Sequence, residues 1–238
     1  MADLFDTAEP SPKNTPRPLA DRLRPKNLAE VIGQRHLLSP EGPIGAMLAA
    51  HSLSSLILWG PPGVGKTTIA RLLAAETDLT FVQISAIFTG VPDLRKVFEA
   101  AKIRRQNGHA TLLFVDEIHR FNKAQQDGFL PYMEDGTIIL VGATTENPSF
   151  ELNAALLSRA QVVVLNRLDR RDLESLAQRA EQDLGRALPL TGDAREALIE
   201  MADGDGRALL NLIEQSAAWK TDRPLDRDQL SIRLMRRA

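Results

Sequence analysis

The chain has 238 residues and a nearly balanced charge, with 29 Lys or Arg residues against 31 Asp or Glu residues and a formal net charge of −2. Cysteine is absent, which excludes disulfides and thiolate zinc sites. No long uncharged apolar stretch or signal-peptide pattern is present, so we expect a cytoplasmic protein without a membrane partner. With 43% hydrophobic residues the chain can bury a substantial core, and any contact with nucleic acid has to come from a local patch of charge.

The sequence pattern divides the chain into three regions. Residues 1–18 are rich in proline among small polar residues and are predicted to form a disordered arm. In residues 19–166 short apolar runs alternate with helical segments, including Asp93–Arg105 and Asn122–Glu134, which predicts an α/β core with a parallel sheet flanked by helices. Residues 167–238 carry only helical periodicity and predict a small all-helical lid. The apolar runs are Leu56–Trp59, Thr80–Ile84, Thr111–Val115, Ile138–Val141 and Val162–Leu165.

The first apolar run leads directly into a phosphate-binding loop. The loop matches the pattern G-x-x-x-x-G-K-[ST] in full and consists of Gly60, Pro61, Pro62, Gly63, Val64, Gly65, Lys66, Thr67 and Thr68. Glycines let successive backbone N–H groups point at phosphate oxygens, and a helix that begins at the loop aims its positive end at the same anion. Lys66 supplies charge for the β- and γ-phosphates, and the Thr67 hydroxyl can bind Mg²⁺. The pattern therefore predicts a nucleoside triphosphatase.

Two later strand ends supply the remaining groups that such a site needs. Asp116 and Glu117 end a buried run, where Asp116 is predicted to hold Mg²⁺ and Glu117 to activate the attacking water. A further run ends in Thr144 and Thr145, at the edge of the sheet where ligands of open α/β sheets bind. Thr145 is the better candidate for touching the γ-phosphate or the water, with Thr144 the alternative. We expect His119 to be a hydrogen-bonding structural residue, because Glu117 already fills the role of base.

Several segments together resemble AAA+ ATPases of the clamp-loader clade and, more narrowly, the replication-associated recombination protein family. The matching segments are 19–25, 32–34, 57–63, 114–123, 142–150 and 155–159. The resemblance implies a five-stranded parallel sheet with a lid, and ATP bound at the interface between subunits. It also implies that Arg159 is an arginine finger acting in trans, that Thr145 is the sensor 1 residue and that Arg207 is the sensor 2 residue. Val31 and Ile32 stand where the family's adenine pocket lies.

The same resemblance implies partners for the chain. The family acts on single-stranded DNA gaps or ends and at stalled forks, with ATP hydrolysis stimulated by DNA, and is expected close to the nucleoid. Helices after the second and third strands would meet the DNA backbone without sequence preference, through Arg95, Lys96, Arg120 and Lys123. The resemblance also implies a homo-oligomer, and we expect the C-terminal region through which the family assembles to be absent from this sequence.

The segment Asp3-Leu4-Phe5 is similar to the tail of a peptide motif that docks on the replication sliding clamp, although Met1 stands where that motif has Gln. A hydrophobic pair without a partner is the alternative for this segment.

The leading hypothesis is a DNA-dependent ATPase of replication and recombination maintenance. Two alternatives remain open from the sequence. One is a branch-migration motor for Holliday junctions, which shares the fold but carries a further winged-helix domain. The other is an ATP-switched adaptor that binds the sliding clamp and hydrolyses little ATP.

Overall fold

The computed structural model describes residues 17–235. The predicted arm, except for residues 17 and 18, lies outside the described residues, and so does the segment Asp3-Leu4-Phe5. Five parallel strands form one sheet with the order β2-β3-β4-β1-β5. The strands are β1 (Leu56–Trp59), β2 (Thr80–Ser85), β3 (Thr111–Asp116), β4 (Ile138–Thr144) and β5 (Gln161–Val164). The predicted five-stranded parallel sheet is confirmed; β1 matches its predicted run, and the other strands differ from theirs by one to three residues at an end.

The helices before and between the strands cover both faces of the sheet. They are α1 (Leu19–Arg22), α2 (Arg35–Leu38), α3 (Pro43–Ala49), α4 (Lys66–Glu76), α5 (Val91–Gln106), α6 (Lys123–Asp127), α7 (Leu130–Glu134), α8 (Pro148–Glu151) and α9 (Ala154–Leu157). Two short 3₁₀ turns, Leu28–Glu30 and Ile118–Arg120, complete this part of the chain. A single helix was expected over Asn122–Glu134. The chain instead forms α6 and α7, because Pro131 has no N–H to donate and interrupts the helical hydrogen bonds.

Side chains of the central strands alternate between two apolar clusters. Leu56 and Leu58 pack with α2, α3 and α4 on one face, whereas Ile57 packs with α5 and the segments between β3 and β5 on the other. Both faces of each central strand are therefore buried, which explains why these strands read as continuous apolar runs.

Four helices follow the sheet in the region predicted to be a lid, and we call them the lid; they pack around a third apolar cluster. They are α10 (Arg170–Leu184), α11 (Gly192–Ala202), α12 (Gly206–Ala217) and α13 (Arg227–Met235). Leu19 of α1 packs into the lid cluster rather than against the sheet, and its backbone N–H donates to Glu214 of α12 at 2.9 Å. The boundary between core and lid at residues 166 and 167 remains a prediction. Helix α1, which belongs to the predicted core by sequence, packs against the lid. No helix within the described residues is long and apolar enough to cross a membrane.

Candidate nucleotide site

The glycine-rich loop connects β1 to α4 and faces open space. Gly65 adopts φ +99° immediately before α4, and Gly63 adopts φ +69°, conformations that favour glycine over residues with a side chain. No atom lies within 4 Å of the position that a Cβ of Gly65 would take. The unpaired backbone N–H groups of the first turn of α4 therefore border a cavity, as an anion-binding helix start requires.

A cavity of about 480 Å³ is lined by the loop, by residues between 18 and 32 and by the lid. Most residues predicted for the site line it, namely Val31, Ile32, Pro62, Gly63, Val64, Gly65, Lys66, Thr67, Thr68, Asp116, Glu117, Thr145 and Arg207. The structure thus brings together residues that are up to 176 positions apart in sequence (Val31 to Arg207). Gly60, Pro61 and Arg159 are the predicted residues that do not line the cavity.

Lys66 is held inside the loop by two backbone carbonyls. Its Nζ donates to the carbonyl oxygen of Gly60 at 2.7 Å and to that of Pro61 at 2.8 Å. Burial lowers the pKa of Lys66 from its ordinary value, and the nearby carboxylates of Glu117 and Asp116 oppose that shift. Gly60 and Pro61 therefore contribute by holding the ammonium group, while Lys66 itself borders the cavity.

The two carboxylates at the end of β3 reach the cavity from beside the loop. Asp116 is the last residue of β3, and Glu117 follows it with φ +52°, an uncommon conformation for a residue with a side chain. Thr67 lies in the first turn of α4 on the same cavity. Within residues 17–235 no group of three or more His, Cys, Asp or Glu side chains could bind a metal ion. A hydroxyl and one carboxylate fit Mg²⁺, which commonly takes its other ligands from water and substrate phosphates.

The two neighbouring threonines after β4 differ in their surroundings. Thr145 is half-buried and lines the cavity, whereas Thr144 is fully buried and does not. The Thr144 hydroxyl contacts His119 Nδ1 at 2.9 Å and accepts the backbone N–H of Glu146 at 3.0 Å. Of the two threonines, Thr145 is thus the one placed to meet a ligand.

Part of the cavity lining is apolar, and the lid contributes to it. Val31 and Ile32 line the cavity, as do Leu176 of α10 and Leu210 of α12. A planar apolar base fits such a lining better than a charged group does. Sequence reasoning missed the two leucines, because helical periodicity shows that a helix has an apolar face without showing what that face meets.

The lid contacts the phosphate-binding loop directly. The Gly206 N–H donates to the Gly63 carbonyl at 3.2 Å, and Asp205 caps α12 by accepting the Ala208 N–H at 2.8 Å. A side chain on Gly63 would overlap the Asp205 carboxylate. This close approach of the α12 N-terminus places Arg207 on the cavity. No sequence signal indicated that Asp205 would approach the phosphate-binding loop.

Arg159 lies at the other edge of the sheet. It precedes β5, whose first residue Gln161 donates its N–H to Ser55 just before β1, whereas the phosphate-binding loop follows the far end of β1. A strand of this length separates the two edges by roughly 13 Å. Arg159 is exposed there and contacts Glu134, with Nε donating at 2.7 Å and Nη2 lying 2.5 Å from the same carboxylate oxygen.

The four cations predicted for DNA contact are all exposed. Arg95 and Lys96 lie on α5, Arg120 ends the 3₁₀ turn after β3, and Lys123 begins α6. Lys96 lies 3.3 Å from Asp93, and among the described residues it is the only one of the four with an ion-pair partner.

Comparisons with known proteins match the sheet region and most of the chain as a whole. The pattern of the family described as "ATPase family associated with various cellular activities (AAA)" matches residues 56–168. The "Replication-associated recombination protein A" of Escherichia coli strain K12 is 49% identical over 209 residues, which are 86% of this chain and 47% of that protein. The "ATPase WRNIP1" of Dictyostelium discoideum is 43% identical over 203 residues, 84% of this chain and 23% of that protein.

A solved structure of the Thermotoga maritima "RuvB Holliday junction branch migration motor" is similar with a TM-score of 0.72 at 27% identity, covering 90% of this chain and 72% of that one. The chain spans about half the length of the bacterial replication-associated recombination protein that it matches.

Proposed function

Because the chain belongs to the AAA+ ATPases, as a homologue of the replication-associated recombination proteins, we propose that it binds and hydrolyses ATP for the maintenance of replicating DNA. The observation that carries this proposal is the convergence of Lys66, Asp116, Glu117 and Arg207 on one cavity at the start of a helix. A nucleotide-binding protein without hydrolysis would need the loop and an apolar base pocket, but not a second carboxylate beside the metal-binding one.

The chemistry follows from where each group borders the cavity. The backbone N–H groups of the loop and Lys66 hold the β- and γ-phosphates, and Val31 and Ile32 contact the base. Thr67 and Asp116 hold Mg²⁺, which supplies positive charge to the phosphate oxygens when bound. Glu117 accepts a proton from the attacking water as the new oxygen–phosphorus bond forms and the bond between the γ-phosphorus and the bridging oxygen breaks. ADP leaves with that bridging oxygen.

The remaining two groups meet the phosphates from different sides. Thr145 orients the water or the γ-phosphate from the end of β4, as a hydroxyl can both donate and accept. Arg207 contacts the phosphates from the lid, so that closure of the lid and occupation of the site are linked. Both side chains line the cavity, which supports these roles.

The proposed ATPase acts as a homo-oligomer, with Arg159 of one copy meeting the ATP of the next. Arg159 is exposed at the opposite edge of the sheet from its own phosphate-binding loop, which supports a role towards a second copy. An arginine supplied in trans stabilises the negative charge that spreads over the phosphoryl oxygens in the transition state.

DNA is the proposed partner and the nucleoid the proposed location. The names of the relatives refer to replication and recombination, and Arg95, Arg120 and Lys123 offer exposed cations for phosphate contacts. DNA with a single-stranded gap or end is the proposed stimulus of hydrolysis. A branch-migration motor is the second candidate, favoured by the likeness to the Thermotoga maritima structure, whose identity to this chain is lower than that of the replication-associated relatives.

Steady-state ATP turnover with and without gapped DNA tests the proposal. We expect turnover that rises with gapped DNA and is lost in Lys66→Ala. The matched control is Lys102→Ala, which removes an exposed lysine paired with Glu99 and should leave turnover unchanged. Stimulation by four-way junctions alone would favour the branch-migration motor. Tight ATP binding without turnover under any condition would contradict the ATPase proposal and favour an ATP-switched adaptor.

A further inference from the structure

A buried histidine stands between the proposed catalytic base and β4, the strand that ends at Thr144. His119 lies on the 3₁₀ turn Ile118–Arg120, and its side chain is only 7% exposed. Its Nδ1 atom lies 2.9 Å from Thr144 Oγ1 and 3.4 Å from Glu117 Oε2. One ring nitrogen thus faces two oxygens, one on the neighbouring strand and one on the residue proposed to activate water.

Thr144 is fixed independently of this histidine. Its backbone carbonyl accepts the N–H of Gly60, the first residue of the phosphate-binding loop, at 3.2 Å. Its hydroxyl oxygen accepts the N–H of Glu146 at 3.0 Å. Hydrogen bonds therefore connect the loop to Thr144 and Thr144 to His119, and the remaining step, from His119 to Glu117, spans 3.4 Å.

The local backbone explains why His119 comes so close to β4. Gly142 on β4 has no side chain, and a Cβ at that position would lie 2.8 Å from Ile118 Cδ1. The missing side chain allows the turn that contains Ile118 to pack directly on the strand. Glu117, at φ +52°, turns the chain sharply from β3 into this turn.

We propose that His119 is a positioning residue for Glu117, holding its carboxylate towards the water by an N–H on Nδ1. This inference rests on the proposed ATP hydrolysis. An ionised carboxylate accepts hydrogen bonds and cannot donate, so attraction to Glu117 requires the proton to be on Nδ1. In this tautomer the single N–H is shared between Glu117 Oε2 and Thr144 Oγ1, and the hydroxyl hydrogen of Thr144 can then go to the Glu146 carbonyl at 3.3 Å.

Positioning matters here because the Glu117 side chain can adopt more than one rotamer. Its side chain is 29% exposed, so without a neighbour it would sample several rotamers, only some of which point at the water. A base that is correctly aimed contributes more than one that is merely present, because misplacement by about 1 Å can reduce the rate by about 100-fold. His119 would restrict this freedom without touching ATP.

The kinetic test compares two substitutions of equal shape. In His119→Asn the side-chain amide stands near the former Nδ1 and can still donate, whereas His119→Leu has the same branching and no donor. We expect His119→Leu to lower kcat by about 10- to 100-fold with KM changed less than about twofold, and His119→Asn to recover most of the loss. In a Glu117→Gln background, His119→Leu should lower the remaining turnover less than about twofold, because the two act as a unit.

A purely structural histidine would give a different pattern. Equal losses in His119→Asn and His119→Leu, in step with a lower unfolding temperature, would overturn the proposal. So would a full additional loss from His119→Leu in the Glu117→Gln background.

A second measurement needs no turnover and separates failure of this inference from failure of the proposed function. The chain has 4 histidines, so ¹⁵N-histidine spectra of the nucleotide-free protein are simple, and loss of one signal set in His119→Asn assigns His119. We expect a ring that carries a proton on Nδ1, with a resonance that shifts in Glu117→Gln and in Thr144→Val. A ring protonated only on Nε2, or an Nδ1 resonance insensitive to Glu117→Gln, would overturn the inference even in an active ATPase.

Discussion

The edge of the sheet where the strands end, at the phosphate-binding loop, and the opposite edge, at Arg159, differ in how their functional residues are placed. At the loop edge, the last residue of β3, the segments that follow β1, β3 and β4, and the lid border one cavity. At the other edge Arg159 is exposed, and its contacts are with Glu134 and nearby groups of its own segment. One chain therefore assembles the residues proposed to bind ATP, and it presents outward the residue proposed to complete hydrolysis.

Strand order explains the first half of this contrast. The loop follows β1, Glu117 follows β3 and Thr145 follows β4, and these strands are adjacent as β3-β4-β1 in the parallel sheet. Their carboxyl ends must meet at one edge, which is where open α/β sheets bind ligands. Arg159 stands before β5 rather than after it, and the same geometry places it at the other edge.

Among substitutions that test the difference between the two edges, the largest effect is expected from removing the exposed Arg159. We expect Arg159→Ala to lower kcat by about 10³-fold while ATP affinity changes less than about twofold, because an arginine finger stabilises charge that develops only in the transition state. Turnover and equilibrium ATP binding of the same preparation check this. The control Arg227→Ala removes an exposed arginine of the lid that pairs with Glu200, and it should leave both quantities unchanged. A comparable loss of ATP affinity in Arg159→Ala would place this residue in its own chain's site.

Removing the charge at the loop edge should affect binding itself. We expect Lys66→Ala to weaken ATP binding by roughly 100-fold, since charge-assisted hydrogen bonds to a phosphate contribute about 1.5–3 kcal/mol each. Calorimetric titration with a non-hydrolysable ATP analogue measures this. Affinity in Lys66→Ala equal to that of the unchanged chain would show that the cavity holds the phosphates elsewhere.

The contact between lid and loop should matter less than either charge. Gly63→Ala introduces a side chain at φ +69° that would overlap Asp205, and we expect about tenfold weaker ATP binding together with a lower unfolding temperature. Gly185→Ala is the matched control, because Gly185 has φ +67° with no atom within 4 Å of the added Cβ. The control should lower the unfolding temperature only, by the strain of the left-handed conformation. Equal ATP affinity in the two variants would show that the lid contact does not shape the site.

The smallest effect on turnover is expected from removing Glu134, the ion-pair partner of Arg159. Glu134 and Arg159 are both more than one third exposed, so their ion pair should contribute less than about 1 kcal/mol to the free energy of unfolding. We expect Glu134→Ala to change ATP affinity less than about twofold, with turnover equal or up to about twofold higher. Glu99→Ala, which removes the exposed partner of Lys102, is the control for stability. A drop in turnover close to that of Arg159→Ala would mean that Glu134 is needed to present the arginine.

Much of this architecture could be predicted from the sequence, for physical reasons that are local. The run Leu56–Trp59 followed by the glycine-rich loop and the apolar face of α4 specifies strand, loop and helix within a few residues. The break between α6 and α7 was missed, although Pro131 carries the signal for it. Strand ends were underestimated where polar residues such as Thr144 continue the hydrogen bonding of an apolar run.

The contacts that could not be predicted depend on distant parts of the chain. The pairing of His119 with Thr144 requires β3 and β4 to be neighbours and Gly142 to lack a side chain, and no pattern within one segment reveals this. The approach of Asp205 to Gly63 depends on how the lid docks on the sheet. The separation of Arg159 from its own loop follows only when the register of β5 on β1 is known.

A mixing experiment tests most directly the central proposal that two copies share one site. Glu117→Gln retains Arg159 and lacks the base, and Arg159→Ala retains the base and lacks the arginine, so each alone should be nearly inactive. Mixed in equal amounts with ATP and gapped DNA, they should recover a substantial part of the turnover, because one interface then joins an intact base to an intact arginine. Turnover of the mixture equal to the mean of the two separate variants, at chain concentrations where the unchanged protein is active, would contradict a shared site.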